Sequence, residues 1–156
     1  MPLLTLFLSS VFTLVFSSPT LASAIDKSSL YGSWVCEHSL GNNNKNLQVN
    51  FIYHVNVNKN GTSTGEATLT FSMAALPPLI YQEVDTALWT LDRDNLTISS
   101  DNIQFSNMSH PEYEALLNLQ QHFPRHVNET LKVTQLTKLA LTLFSERYND
   151  VYHCVR

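Results

Sequence analysis

Leu47-Gln48-Val49-Asn50-Phe51-Ile52-Tyr53-His54-Val55-Asn56-Val57 decides the fold class of this chain. Every odd position is apolar, and only Ile52 departs from polar at the even ones. A period of two belongs to extended backbone with one buried face, because successive side chains leave a strand on opposite sides. A second stretch mirrors the first: Ala67, Leu69, Phe71 and Met73 alternate with Glu66, Thr68, Thr70 and Ser72. Asn58-Lys59-Asn60-Gly61-Thr62 joins the two, and its Asn-Gly step is a strong hairpin signal. The pattern predicts two long, half-buried antiparallel strands.

Working outward, the strands shorten. Residues 87–91 and 95–99 flank the tight turn Asp92-Arg93-Asp94, and 103–105 continue the pattern. Residues 131–133 pair with Leu139, Leu141 and Leu143, while 31–38 and 151–156 form the first and last strands. About eight strands linked by turn residues predict a mainly β chain, an antiparallel meander closed as a barrel or packed as a sandwich. Residues 74–85 contain Pro77-Pro78 and read as an irregular crossing. One α-helix is expected near 110–123, with Ser109 as N-cap and Glu112 completing a capping box. Tyr113, Leu116, Leu117 and Phe123 form its apolar face, Pro124 stops it, and it is expected to cover an end or flank of the sheet.

The two ends of the chain carry the address. Residues 1–24 hold no charged side chain; 3–16 are mostly apolar, Pro19 breaks the run, and Ala22-Ser23-Ala24 supplies the small residues of a cleavage site. This reads as a signal peptide, with 25–156 as a single domain. The run is short for a membrane span, which needs about 20 residues. Secretion or a periplasmic location follows. The net charge is -4 with His neutral, which argues against nucleic acid and anionic membrane surfaces as partners. Cys36 and Cys154 are the two cysteines. In an oxidising compartment they most simply pair, the alternative being two separate buried thiols. In a closed barrel the first and last strands are neighbours, which makes the pairing natural.

Leu30-Tyr31-Gly32-Ser33-Trp34 resembles the G-x-W signature on the first strand of lipocalins and related calycin barrels. The resemblance implies a lipocalin-like barrel whose meander closes on itself, and an Arg near the C-terminus, Arg156 or Arg147, packed over Trp34. A guanidinium on an indole face would seal one end of the barrel. The inward candidates are Trp34, Val49, Phe51, Tyr53, Leu69, Phe71, Met73 and Trp89. Trp34, Phe51, Tyr53, Phe71 and Trp89 would line any ligand site, with Tyr53 as its polar handle. Eight strands enclose room for packed side chains or for one small ligand.

Catalytic and metal readings are thin. No nucleophile elbow, H-E-x-x-H or phosphate loop is expected, and only four glycines occur. His122 and His126 have a metal-compatible spacing, but Pro124 lies between them. Asp92 and Asp94 read as turn residues, and Glu37 and His38 as surface groups beside Cys36. Sequons stand at Asn60, Asn95, Asn107 and Asn128, with Asn60 and Asn95 the most accessible. The expected function is a non-enzymatic, exported binding protein, without catalytic residues, cofactor or metal, that carries or senses a small apolar molecule. The alternative is an interaction module for another exported protein, an inhibitor or assembly accessory with a filled interior.

Overall fold

The computed structural model describes residues 25–42, 47–74 and 76–156; the signal peptide expected at 1–24 lies outside the described residues. Eight strands form one closed antiparallel barrel in sequential order: β1 Gly32–Asn42, β2 Leu47–Val57, β3 Thr62–Met73, β4 Leu79–Asp92, β5 Asn95–Asn107, β6 Val127–Leu136, β7 Ala140–Ser145 and β8 Asp150–Val155. The meander is closed where β1 pairs with β8. Among the described residues no helix is long and apolar enough to cross a membrane.

Register assigns the faces. Val55 pairs with Trp34 and Gly65, Tyr53 with Cys36 and Ala67, and Phe51 with His38 and Leu69. Directly paired residues share a face, so the odd residues of β2 and β3 line the interior with Trp34 and Cys36, as the alternation predicts. The β2–β3 turn keeps Gly61 at φ 83°, a left-handed conformation that favours glycine. A register shift in β5, between Ser99 and Asn102, moves the inward set from Ile103 and Phe105 to Ser100, Ile98 and Leu96. This bulge joins the two short segments expected at 95–99 and 103–105 into one strand.

Two sequence expectations are corrected. Residues 74–85 are not all irregular, since β4 begins at Leu79, just after Pro77-Pro78. Leu79 and Tyr81 are fully buried, but Glu83 and Asp85 follow on the same inner face. Two inward carboxylates erased the apolar alternation by which a strand is recognised. The helix, α1, spans only Pro111–Leu117, and its N-cap is His110 without a side-chain capping bond. The Ser109 hydroxyl instead accepts from the Ile80 N–H at 2.9 Å. Asn118 ends α1 in a left-handed conformation, and a 3-10 turn, Leu119–His122, continues to Pro124. Leu116 points to solvent, 75 % exposed, so the apolar face is narrower than its spacing implies.

Cys36 and Cys154 form a disulfide between directly registered residues of β1 and β8, 118 residues apart in sequence. The ladder they join is short, pairing only Val35, Cys36 and Glu37 with Val155, Cys154 and His153. The sequons at Asn60, Asn95 and Asn128 are exposed, whereas Asn107 is half-buried and bonds to Tyr81, Ser109 and His110. In the chain-entropy picture a loop of this length stabilises the fold by about 5 kcal/mol. The Cys36→Ser/Cys154→Ser double variant should therefore lose about 3–5 kcal/mol in urea unfolding. A loss below about 1 kcal/mol would show that the β1–β8 seam holds without its covalent bond.

Candidate ligand cavity

One end of the barrel is sealed from the sequence outward. The 3-10 turn Lys27–Leu30 lays Leu30 across the opening, where it is fully buried. Trp34 Nε1 donates to Leu30 O at 2.8 Å, and Trp89 Nε1 donates to Thr62 O at 3.0 Å, so both buried indoles have partners. Arg156 lies over the Trp34 ring, 4.1 Å from its centroid, and Lys27 stands 4.7 Å from that of Trp89. The Arg156 guanidinium also donates to three carbonyls: Nη1 to Tyr31 O at 2.7 Å, Nη2 to Ser29 O at 3.2 Å and Nε to Lys138 O. Arg156 and not Arg147 fills the role expected from the G-x-W resemblance; Arg147 packs on Tyr148. Gly32 has φ 109°, which only glycine adopts without strain, and this turns the chain from the 3-10 plug into β1.

Above the seal lies a cavity of about 120 Å³ lined by Leu30, Trp34, Cys36, Tyr53, Val55, Val57, Ser63, Trp89, Leu96, Ile98, Leu131, Leu141 and Leu143. Its wall is apolar except for Tyr53 and Ser63. Three of the five expected lining residues, Trp34, Tyr53 and Trp89, are brought together here. Phe51 and Phe71 share the inner face but lie toward the other end. Phe51 stacks on Tyr53, with ring centroids 5.7 Å apart, and Phe71 packs against Tyr81 and Phe123. The segment after β5 closes that mouth: Phe123 sits 4.5 Å from Phe105 and 5.0 Å from Tyr81, and the Tyr81 hydroxyl bonds to Glu114 of α1.

Between cavity and mouth runs a polar waist absent from the sequence expectations. The Tyr53 hydroxyl donates to Asp85 Oδ1 at 2.8 Å. Glu83 stands one inward position further along β4. Across the barrel Ser145 bonds to Glu129, and His38 Nε2 lies 2.7 Å from Asp150 Oδ2, with the His38 and Tyr152 rings 4.9 Å apart. His38 is thus an interior group and not the surface residue expected beside Cys36; it shares parity with Trp34 and Cys36 on β1. The same parity argument places Glu83 and Asp85 with Leu79, Tyr81, Ala87 and Trp89, and is the signal that could have found them.

Burial governs the waist's electrostatics. It pushes Glu83 from 4.5 up to about 7, with the Asp85 charge adding to the shift. Asp85 is also raised by burial, against the lowering effect of its Tyr53 hydrogen bond. Tyr53 is held above its ordinary range by burial, then by the Asp85 charge and hydrogen bond and by Glu83. Tyr152 is pushed up to about 12, by burial first and by Glu129 and Asp150 next. Gly65 makes the Tyr53–Asp85 contact possible, since a Cβ there would overlap both partners.

Among the described residues no group of three or more His, Cys, Asp and Glu could hold a metal ion. His126 lies 3.3 Å from Asp101. One hydrolase-like string does occur, contrary to expectation: Gly61-Thr62-Ser63-Thr64-Gly65 has G-x-S-x-G spacing. It occupies the β2–β3 turn and the start of β3, not a strand-to-helix elbow. Ser63 is buried against the cavity, and no imidazole is hydrogen-bonded to it among the described residues. Comparison with protein-family models and with curated proteins finds no match for this chain. Fold and cavity therefore define the class: a closed eight-stranded antiparallel barrel, disulfide-fastened, sealed at one end and hollow above the seal.

Two outcomes follow. A carboxyl raised in the fold favours folding while protonated; that contribution is complete below the unfolded value of 4.5 and is lost as pH rises through about 7. Urea unfolding should therefore show Glu83→Gln gaining on the native chain by about 2 kcal/mol between pH 5 and pH 8, a figure reduced for the partial solvent access of Glu83. A difference that stays flat with pH would contradict the assignment. Gly65→Ala should destabilise by about 1–3 kcal/mol through overpacking, with part recovered in Gly65→Ala/Asp85→Ala. A neutral single variant in the same assay would show that the Tyr53–Asp85 contact is not confined.

Proposed function

We propose that this is an exported, non-enzymatic binding protein that carries or senses a small hydrophobic ligand in a lipocalin-like barrel. The cavity above Trp34 is the observation that carries the reading. Cavities of about 150 Å³ lined by apolar side chains stay dry and accept a benzene-sized guest. This cavity is of that order, which favours a single ring or short branched chain over a long lipid. The Arg156–Trp34 seal with Gly32 supports the lipocalin-like comparison, and the disulfide supports export. The other reading, a protein-interaction module, draws on the exposed Leu40, Met108 and Leu116. Isolated exposed apolar side chains are ordinary, whereas an unfilled barrel end costs packing, so the cavity weighs more.

The chain's two tryptophans, Trp34 and Trp89, both line the cavity, so intrinsic fluorescence reads its occupancy directly. Toluene and indole are expected to shift that emission saturably. Native mass spectrometry of protein purified from the exported fraction is expected to reveal a small co-purifying molecule. Val55→Phe, which fills the cavity, should abolish both signals while leaving the far-ultraviolet circular dichroism unchanged. No saturable response to either probe, and no adduct from the native chain, would sink the carrier reading.

A further inference from the structure

Beyond the cavity wall, on the same inner face of the barrel, stands a set of acidic side chains, one of them bonded to Tyr53 of that wall. Register places Glu83, Asp85, Glu129 and Asp150 on the inner face of the barrel, with His38 the one basic side chain among them. No Lys or Arg stands on the inner face of any described strand. Lys132, the one such residue within a described strand, faces outward beside Asp94 at 3.6 Å. The seal's cations, Arg156 and Lys27, lie beyond the indoles at the opposite end.

Interior carboxylates are costly without a counter-charge, since each gives up hydration for a medium of low dielectric constant. Here the His38 imidazole stands 2.7 Å from Asp150, and the Ser145 hydroxyl donates to Glu129. Asp85 has only a phenol, and that phenol is Tyr53, part of the cavity wall. A guest in the cavity therefore has indole, Val and Leu surfaces around its body, while its upper end meets Tyr53 with Asp85 and Glu83 behind it.

We infer that the cavity takes a small aromatic or branched aliphatic amine, its apolar body between Trp34 and Trp89 and its ammonium group at Tyr53, Asp85 and Glu83. This rests on the carrier reading above and names the ligand class. The cavity supplies the evidence for a guest, and the rim supplies the sign of its charge. A cation there exchanges its hydration for charge-assisted hydrogen bonds to Asp85 and Glu83, of which Asp85 otherwise holds the Tyr53 hydroxyl alone. A carboxylate guest would meet Asp85 and Glu83 with charge of the same sign.

The test compares three probes of nearly the same shape by tryptophan fluorescence and calorimetry at pH 7.5: 2-phenylethylamine, 2-phenylethanol and phenylacetate. The amine is expected to bind at least tenfold more tightly than the alcohol, and phenylacetate more weakly than either. In Glu83→Gln/Asp85→Asn the amine's advantage should vanish while the alcohol's affinity stays within about twofold, which separates lost charge from lost fold. Tyr53→Phe keeps the acids and the cavity, and should retain most of the amine preference. Binding of the alcohol with no amine preference, or a preference that survives the double variant, overturns the amine inference and leaves the carrier reading standing. Failure of all three probes and of toluene overturns both.

Discussion

The closure of the barrel hangs on its narrowest ladder. β1 and β2 pair along their whole length, whereas β1 and β8 share only Val35–Glu37 with His153–Val155. A ladder this short is a weak point, because an open edge exposes unpaired backbone groups and the interior behind them. The disulfide lies in the middle of the short ladder, and Arg156, two residues after Cys154, ties the end of the chain to carbonyls of the 3-10 plug and to Lys138. One covalent bond and one guanidinium thus decide both whether the sheet closes and whether its end is sealed. Everything inside the barrel, apolar or charged, takes its low-dielectric environment from that closure.

Within the closed sheet the interior is divided along its axis. Near the seal the side chains are aliphatic and indole, and they leave a hollow; at the waist they are acids, phenols and an imidazole; at the mouth Phe71, Phe105 and Phe123 close over them. This order has an energetic logic. Half-buried carboxylates at the waist keep partial hydration, and burial raises their proton affinity. Gly65 belongs to the same arrangement: removing one side chain from the β3 wall leaves the volume in which Tyr53 and Asp85 meet. The waist also explains why an interior of this size is not simply packed with aliphatic residues.

Legibility varied with how closely each strand followed its alternation. β2 reads residue for residue because only Ile52 breaks the period, and the hairpin into β3 is announced by Asn60-Gly61. The first half of β4 was hidden by Glu83 and Asp85, and β5 was split by the bulge at Ser100, which changes the parity of the inward residues. The helix was overextended because Tyr113, Leu116 and Phe123 fit a helical face by spacing, while in the fold Phe123 leaves the helix to stack among aromatic rings at the mouth. Tertiary packing overrode local spacing in each case.

The sequence by itself determined the mainly β class and its central hairpin and made a Cys36–Cys154 pair the simplest expectation; the guanidinium over Trp34 came only with the resemblance to G-x-W barrels. The first two rest on local periodicity and turn chemistry, and the third on a cysteine count with one simple solution. Tertiary structure alone decided which arginine seals the end, that the interior is hollow above the seal, and that His38, Glu83, Asp85, Glu129 and Asp150 meet inside it. A cavity is a difference between the volume a closed sheet encloses and the volume its side chains fill. Neither quantity is a property of any single segment, and polar side chains brought together from four strands become neighbours only when the sheet closes.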